Sequence, residues 1–230
     1  MRGRRGSETL IGPVLRRTDE RTRHMAIATD ADVAQKIAEP RVRQNVAEIQ
    51  PADCVLLTRI PTIDDVLNDH AASLRDDFLG YRNHVYRVVN LCVAIVGRSE
   101  LEKIAVAAVF HDLGIWTKGT FDYIAPSIAL ARDYLRTRAR QDWAAEIEWM
   151  IADHHKITQS KAARDSLIEA FRRADWIDVT RGMRRFGVPR PFIARLFATW
   201  PDAGFHWRLV TLTLDRFRSH PLTPLPMVKL

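Results

Sequence analysis

Residues 109–114, VFHDLG, place an imidazole beside a carboxylate at the end of an apolar run that begins at Ile104. Burying two ionisable side chains in such surroundings is costly unless something pairs with them. A divalent metal ion satisfies both, because imidazole and carboxylate are both ligands of zinc, iron and manganese. For these two residues alone, a His–Asp hydrogen bond at a helix end is the simpler explanation. The choice therefore depends on the rest of the chain.

The length and composition of the chain indicate the class of protein. A chain of 230 residues with 47% hydrophobic and 27% charged residues fits one soluble domain with a tail. The two cysteines, Cys54 and Cys92, are too few for a disulfide framework, so we expect a reducing, cytoplasmic location. Because no apolar run is long enough to cross a bilayer, we expect no membrane association.

The net charge of +7 is concentrated near the N-terminus, where residues 1–24 hold seven arginines against three acidic residues and so carry +4. This segment has no periodic apolar face, which predicts a disordered basic tail. Without interleaved aromatic residues, we do not expect it to bind nucleic acid. Residues 25–61, interrupted by Pro40, Pro51 and Pro61, are predicted to form a peripheral arm, and residues 62–230 the folded domain.

The folded domain shows helical periodicity and no credible strand pattern, which predicts an all-α fold. A predicted helix over residues 76–96 places His84 on the same inward face as Tyr81 and Val88. A single inward histidine is usually a core residue with a satisfied hydrogen bond. It becomes a candidate ligand only if other polar side chains converge on it.

The helix that carries the His-Asp pair has recognisable ends in the sequence. Ser99 and Glu102 fit a Ser-x-x-Glu capping box at its start, and Gly114 is predicted to close it just after His111 and Asp112. Residues 116–126 are then predicted to form a polar loop.

Two adjacent histidines end the apolar stripe of a later predicted helix, which Asp142 is expected to cap. His154 continues the buried face of that helix, whereas His155 is rotated away from it by about 100°. One of the two can instead be a positively charged residue at the negative end of the helix.

The next helix, which Ser166 is predicted to start, turns Asp175 toward the core. A buried aspartate needs a cation or hydrogen-bond donors. Arg172 and Arg173 lie close enough in sequence to supply them. A metal ion shared with the histidines is the other explanation.

The inward-facing polar residues occur in the order His84, then His111-Asp112, then Asp175, with gaps of 27 and 63 residues. This order resembles the HD-domain superfamily of metal-dependent phosphohydrolases, and the resemblance covers about residues 76–179. It implies an HD-like helical bundle in which these four side chains hold one divalent transition-metal ion, which can be Mn, Fe, Co, Ni or Zn.

The resemblance also implies roles for further residues. A metal-bound water is the expected nucleophile, which Asp175 is placed to orient, and His154 or His155 has a pKa range suited to protonating the leaving oxygen. Lys118, Arg181, Arg184 and Arg185 are the predicted phosphate-binding cations. The expected activity is hydrolysis of a nucleotide or another small phosphate ester. The small-molecule substrate is the only partner we expect, although a homo-oligomer stays open.

Three alternatives remain at this point. The chain lacks the Gly-Tyr-Pro extension of the cyclic-dinucleotide phosphodiesterases. Its extra histidines are adjacent, which makes a second complete metal site harder to build. A hydratase similar to cyanamide hydratase, or a di-iron oxygenase, acting on a small compound without phosphate, therefore stands beside the phosphohydrolase. A catalytically silent scaffold stabilised by metal is the third alternative.

Overall fold

The computed structural model describes residues 54–159 and 166–219. The predicted basic tail and nearly all of the predicted N-terminal arm lie outside the described residues. Within the two described ranges the protein has α-helices and no strand, which confirms the all-α prediction. No described helix combines the length and the apolar character needed to span a membrane.

Two 3₁₀ turns, Arg75–Asp77 and Gln141–Trp143, lie between the described helices. In chain order the helices are α1 (Pro61–Asp69), α2 (Ala71–Leu74), α3 (Phe78–Val96), α4 (Leu101–Phe110), α5 (Gly114–Lys118), α6 (Ile124–Thr137), α7 (Ala144–Asp153), α8 (Leu167–Val179), α9 (Arg190–Thr199) and α10 (Phe205–Ser219).

Helix α3 is the centre of the fold, because residues on all its sides are buried from Tyr81 to Val93. A helix that is buried on all its sides lies in the interior of a domain, and the polar residues of α3 are therefore buried with the apolar ones. It packs most closely on α8 and α4, while α7 packs on α6, α8 and α4. Gly97 ends α3 with a φ of 82°, which suits glycine, and its N–H donates to the carbonyl of Val93 at 2.8 Å. Helices α4 and α8 therefore pack directly on α3, and α7 packs on both of them.

The predicted ends of α4 are wrong in two respects. The N-cap residue is Glu100 rather than Ser99, and no side chain caps the helix. The Glu102 carboxylate accepts a hydrogen bond from Thr62 in α1 instead of bonding to its own helix end. Gly114 does not close α4, which ends at Phe110, but begins α5. A Cβ at position 114 would lie 2.5 Å from the carbonyl oxygen of Tyr123. This glycine therefore allows α5 to pack tightly on the start of α6.

The other boundaries agree in part with the prediction. The predicted loop over residues 116–126 is shorter, since α5 continues to Lys118 and α6 starts at Ile124. Asp142 does not cap α7, because it lies inside a 3₁₀ turn and Trp143 occupies the N-cap. The prediction for Ser166 is confirmed: its hydroxyl accepts the N–H of Glu169 at 3.2 Å and caps α8.

Candidate metal centre

The four predicted ligands meet in the core. His84 comes from the middle of α3, His111 and Asp112 follow the last turn of α4, and Asp175 lies on α8. Nε2 of His84 and Nε2 of His111 are 3.0 Å apart, and we call them the first nitrogen pair. Oδ1 of Asp175 is 3.7 Å from each of these nitrogens, and Oδ2 of Asp112 is 3.4 Å from that of His111. None of the four side chains is more than 3% exposed.

Both adjacent histidines also reach this cluster. Nε2 of His154 lies 3.3 Å from Oδ1 of Asp112, and Nδ1 of His155 lies 3.5 Å from Oδ2 of Asp175. We call these two atoms the second nitrogen pair. Helical phase predicted that His155 is rotated away, yet its side chain also reaches the cluster, just after α7 ends at Asp153. Their ring centroids are 3.9 Å apart.

The two carboxylates lie between the two nitrogen pairs. Asp112 presents Oδ2 to the first nitrogen pair and Oδ1 to His154. Asp175 presents Oδ1 to the first nitrogen pair and Oδ2 to His155. Each carboxylate therefore has one oxygen on each side. The adjacent histidines, which in the sequence made a second metal site harder to build, contribute a second set of donors in the fold.

The outer ring nitrogens of three histidines are fixed by acceptors. Nδ1 of His111 donates to the carbonyl of Ala108, and Nδ1 of His154 donates to that of Ile151, both at 2.7 Å. Nδ1 of His84 donates a hydrogen bond to Oδ2 of the ionised Asp178 carboxylate at 2.7 Å. In the neutral tautomers set by these partners, the Nε2 lone pairs all point into the cluster.

This donor set fits a divalent metal ion. Two lone pairs 3.0 Å apart repel unless a proton or a metal cation lies between them. Oδ1 of Asp112 and both carboxylate oxygens of Asp175 are buried without a hydrogen-bond partner, which is costly for such atoms. Nitrogens that bind neighbouring positions of one octahedral ion lie about 3 Å apart. One cation would therefore satisfy several otherwise unfavourable groups.

The pKa values of the cluster show the electrostatic cost of burying it without a cation. Burial lowers the pKa of His111 to about 3 and raises that of Asp175 to about 7. Burial also raises the pKa of Asp112, but His111 and His154 outweigh it and hold this pKa well below 3.8. For His154 the burial effect is outweighed by Asp112, so its pKa is raised. The two carboxylates thus shift in opposite directions, as expected when like charges share one buried site.

Asp178, together with Arg87, supports His84 from behind. Both are fully buried, and Arg87 donates to the Asp178 carboxylate through Nε and, at 3.0 Å, through Nη2. Nη1 of Arg87 also donates to the carbonyl of Trp200 at 2.9 Å. Burial raises the pKa of Asp178, but Arg87 and His84 lower it further, so the carboxylate is ionised. Arg87 follows His84 by three positions, and Asp178 follows Asp175 by three. Residues three apart lie on the same side of a helix, so this spacing could have identified both from the sequence.

Tyr123 is a further residue at the site that the sequence did not single out. Its hydroxyl oxygen lies 2.7 Å from Nε2 of His155 and 3.4 Å from Nε2 of His154, and its side chain is buried. The side chain of His155 is 18% exposed, whereas the other five donor side chains are at most 3% exposed. The tyrosine and this histidine therefore lie on the side of the cluster that is nearest to solvent.

The predicted phosphate-binding cations do not join the cluster. Lys118, Arg181, Arg184 and Arg185 are all exposed. Arg181 and Arg184 lie over the rings of Phe197 and Trp176. In the part of the chain that the structure describes, no lysine or arginine forms an ion pair with Asp112 or Asp175.

Arg172 and Arg173 do not neutralise Asp175 either. Both guanidinium groups pair with Glu169, at 2.7 and 2.9 Å. The explanation of Asp175 by a neighbouring arginine is therefore wrong, and its nearest charged or titratable partners are the histidines of the cluster.

Comparison with protein families, with curated proteins and with solved structures gives no match to this chain.

Proposed function

We propose that this protein is a metal-dependent hydrolase whose buried histidine–aspartate cluster is its active site. The observation that carries the proposal is the convergence of four imidazole nitrogens on two carboxylates, three of whose four oxygens have no hydrogen-bond donor. Such a set is expensive to bury for structural purposes alone, because buried carboxylate oxygens are left without hydrogen-bond donors. Resemblance of the His, His-Asp, Asp order to HD-domain enzymes supports the same assignment.

In this proposal His84, His111, Asp112 and Asp175 hold a divalent ion. When bound, such an ion lowers the pKa of a coordinated water and offsets charge on a substrate oxygen. Asp178 keeps His84 in the tautomer that directs its Nε2 lone pair inward. The remaining residues then orient the substrate and move protons.

The histidines of the second nitrogen pair can act in proton transfer or as metal ligands in this proposal. The number of metal ions per chain distinguishes the two roles. With one ion per chain, Tyr123 and His155 on the solvent side exchange the proton that the leaving oxygen needs. With two ions, His154 and His155 would hold the second ion together with Asp112 and Asp175, whose second oxygens lie beside them. Elemental analysis of protein purified without chelator gives this stoichiometry.

Our first proposal for the substrate is a small phosphate ester, which follows from the resemblance. The second is a small compound without phosphate, which would be hydrated or, with two iron ions and molecular oxygen, oxygenated. The second is favoured by one observation: the four predicted phosphate-binding cations are exposed, and Arg181 and Arg184 lie over aromatic rings outside the cluster. Phosphate binding usually uses such cations.

The deciding experiment measures activity and metal together. Protein loaded separately with Mn, Fe, Co, Ni and Zn is assayed on a panel of phosphate monoesters and on small nitriles, amides and esters. The proposal predicts turnover that is lost in His111→Ala and Asp112→Ala together with the bound metal. The matched control is His70→Ala, because His70 is only partly buried and is not part of the cluster. Turnover that survives complete removal of metal would refute the proposal.

A further inference from the structure

Helix α10 carries an exposed apolar stripe that is unrelated to the metal centre. Trp207, Val210, Leu214 and Phe217 are 69%, 46%, 50% and 54% exposed. Their spacing of three, four and three residues places all four on one face of the helix. The opposite side of the helix packs on its own domain, since Phe205 is buried and Leu212 packs on the apolar cluster around Ile115. The stripe therefore faces outward over most of the helix.

The stripe has the same order of aromatic and aliphatic residues, with the same spacing, from either end of the helix. A large aromatic residue stands at each end, Trp207 and Phe217, and an aliphatic residue stands at each inner position, Val210 and Leu214. If a second copy of α10 runs antiparallel across the first, Trp207 meets Phe217 of that copy and Val210 meets its Leu214. An interface with twofold symmetry requires this kind of self-complementary patch.

Charged side chains on α10 do not oppose such pairing. Arg208 pairs with Asp77 at 2.9 Å, Arg216 with Asp122 at 3.1 Å, and Arg218 with Asp215 at 2.8 Å. The Asp, Glu, Lys and Arg side chains of the helix itself are Arg208, Asp215, Arg216 and Arg218. Because each already has a partner of opposite charge in its own chain, two copies can approach without a net repulsion between unpaired charges.

The area of the stripe is also sufficient. The exposed fractions of its four residues correspond to roughly 500 Å² of mostly apolar surface on one copy, within the range at which a patch indicates an interaction site. Two copies would bury roughly 1,000 Å² through the stripes alone, which is about the lower limit for a specific interface, before any contribution from neighbouring residues.

From these observations we propose that the protein forms a homodimer with twofold symmetry through antiparallel pairing of helix α10. The stripe is the buried centre of the interface, and Trp207 is its largest contributor, as is common for tryptophan at interfaces. The dimer is independent of the proposed enzymatic activity, so either proposal can fail without the other.

The first test measures the mass of the full chain in solution by sedimentation velocity. The protein concentration runs from about 1 to about 100 µM, which is roughly the range of dissociation constants for an interface of this size. The wild type is expected to be a dimer. Val210→Glu and Leu214→Glu place charges at the centre of the stripe, and we expect each to increase the dissociation constant at least about 100-fold. Met183→Glu is the matched control, because Met183 is 85% exposed and lies outside α10. Circular dichroism melting of each variant establishes that it is folded.

The second test identifies the direction of the helices by disulfide cross-linking. In the antiparallel dimer the double variant Val210→Cys, Leu214→Cys forms intermolecular disulfides between positions 210 and 214, whereas Val210→Cys alone does not. The native Cys54 and Cys92 are buried and do not compete. Cross-linking of the single variant would indicate parallel pairing and overturn the proposal. A wild-type monomer at 100 µM, or a dimer that survives both glutamate variants, would also overturn it.

Discussion

Asp178 accepts a hydrogen bond from the outer ring nitrogen of His84 at 2.7 Å, at the point where α8 packs on α3. The same carboxylate receives the guanidinium of Arg87 from one turn further along α3. A single buried aspartate thus orients a candidate metal ligand and neutralises a buried arginine. Carboxylates behind metal-binding histidines usually raise the basicity of the ring and fix its orientation.

Asp178→Ala is expected to weaken both metal binding and the fold. Removing one member of a buried ion pair leaves the other charge without a partner, which costs roughly 3–5 kcal/mol in the free energy of unfolding. Metal affinity, measured by competition with a chromophoric chelator, should fall about 10- to 100-fold because His84 loses its orientation.

The variant Arg87→Met and the double variant complete a thermodynamic cycle for this prediction. Once Arg87 is removed as well, loss of Asp178 should cost clearly less than the single substitution, because no unpaired guanidinium remains. The exposed pair of Asp133 and Arg136 provides the control, and Asp133→Ala should cost less than about 1 kcal/mol. Equal costs for Asp178→Ala with and without Arg87 would contradict the role that we assign to this carboxylate.

Removal of metal should lower the melting temperature. Binding to the folded state alone stabilises it by about 2.7 kcal/mol when the free ion is at 100 times its dissociation constant. Dialysis against chelator followed by calorimetry measures the loss, and addition of the same metal should reverse it. In His111→Ala, chelator should leave the melting temperature unchanged. A wild-type melting temperature that does not respond to chelator would speak against a bound ion in the purified protein.

Tyr123→Phe tests the solvent side of the cluster. The substitution keeps the ring in its buried position but removes the hydroxyl, which lies 2.7 Å from Nε2 of His155. If the tyrosine and this histidine pass a proton to the leaving oxygen, turnover should fall by about 10²-fold with the metal content unchanged. A nitrophenyl ester should be much less affected, because its leaving group needs little protonation. Loss of metal in this variant would instead show that Tyr123 holds a ligand in place.

Stability should depend on pH through Asp202. Burial raises the pKa of this carboxyl, but hydrogen bonds from His206 outweigh burial and hold the pKa below its usual 3.8. A lowered pKa means that the ionised form stabilises the folded state above pH 3.8 and that this contribution is lost as the pH falls through the folded-state pKa.

Asp202→Asn should therefore lower the free energy of unfolding by about 1 kcal/mol at pH 6 and by progressively less below pH 4. Urea denaturation at a series of pH values measures the difference between the two proteins. Asp215→Asn is the control, since Asp215 is exposed and lies outside the contact between Asp202 and His206. A difference between wild type and Asp202→Asn that grows below pH 4 would contradict the assigned direction.

Helical periodicity in the sequence was enough to predict the all-α fold and to place His84 and Asp175 on buried faces. Periodicity succeeds there because both residues lie well inside long helices, where the rotation per residue is regular and apolar neighbours fix the buried side. His111 and Asp112 were identified from their position at the end of an apolar run together with their order relative to His84 and Asp175.

Tertiary structure alone decided which partners these residues have. His155 reaches the cluster although periodicity turned it away, because Asp175 on α8 lies beside it in the fold, 3.5 Å from its Nδ1. Glu102 bonds to Thr62 rather than to its own helix end, and the carbonyl that receives Arg87 lies 113 residues away at Trp200. Such contacts depend on how distant segments pack. Local sequence therefore determined which residues are buried, while long-range packing determined that six of them form one cluster.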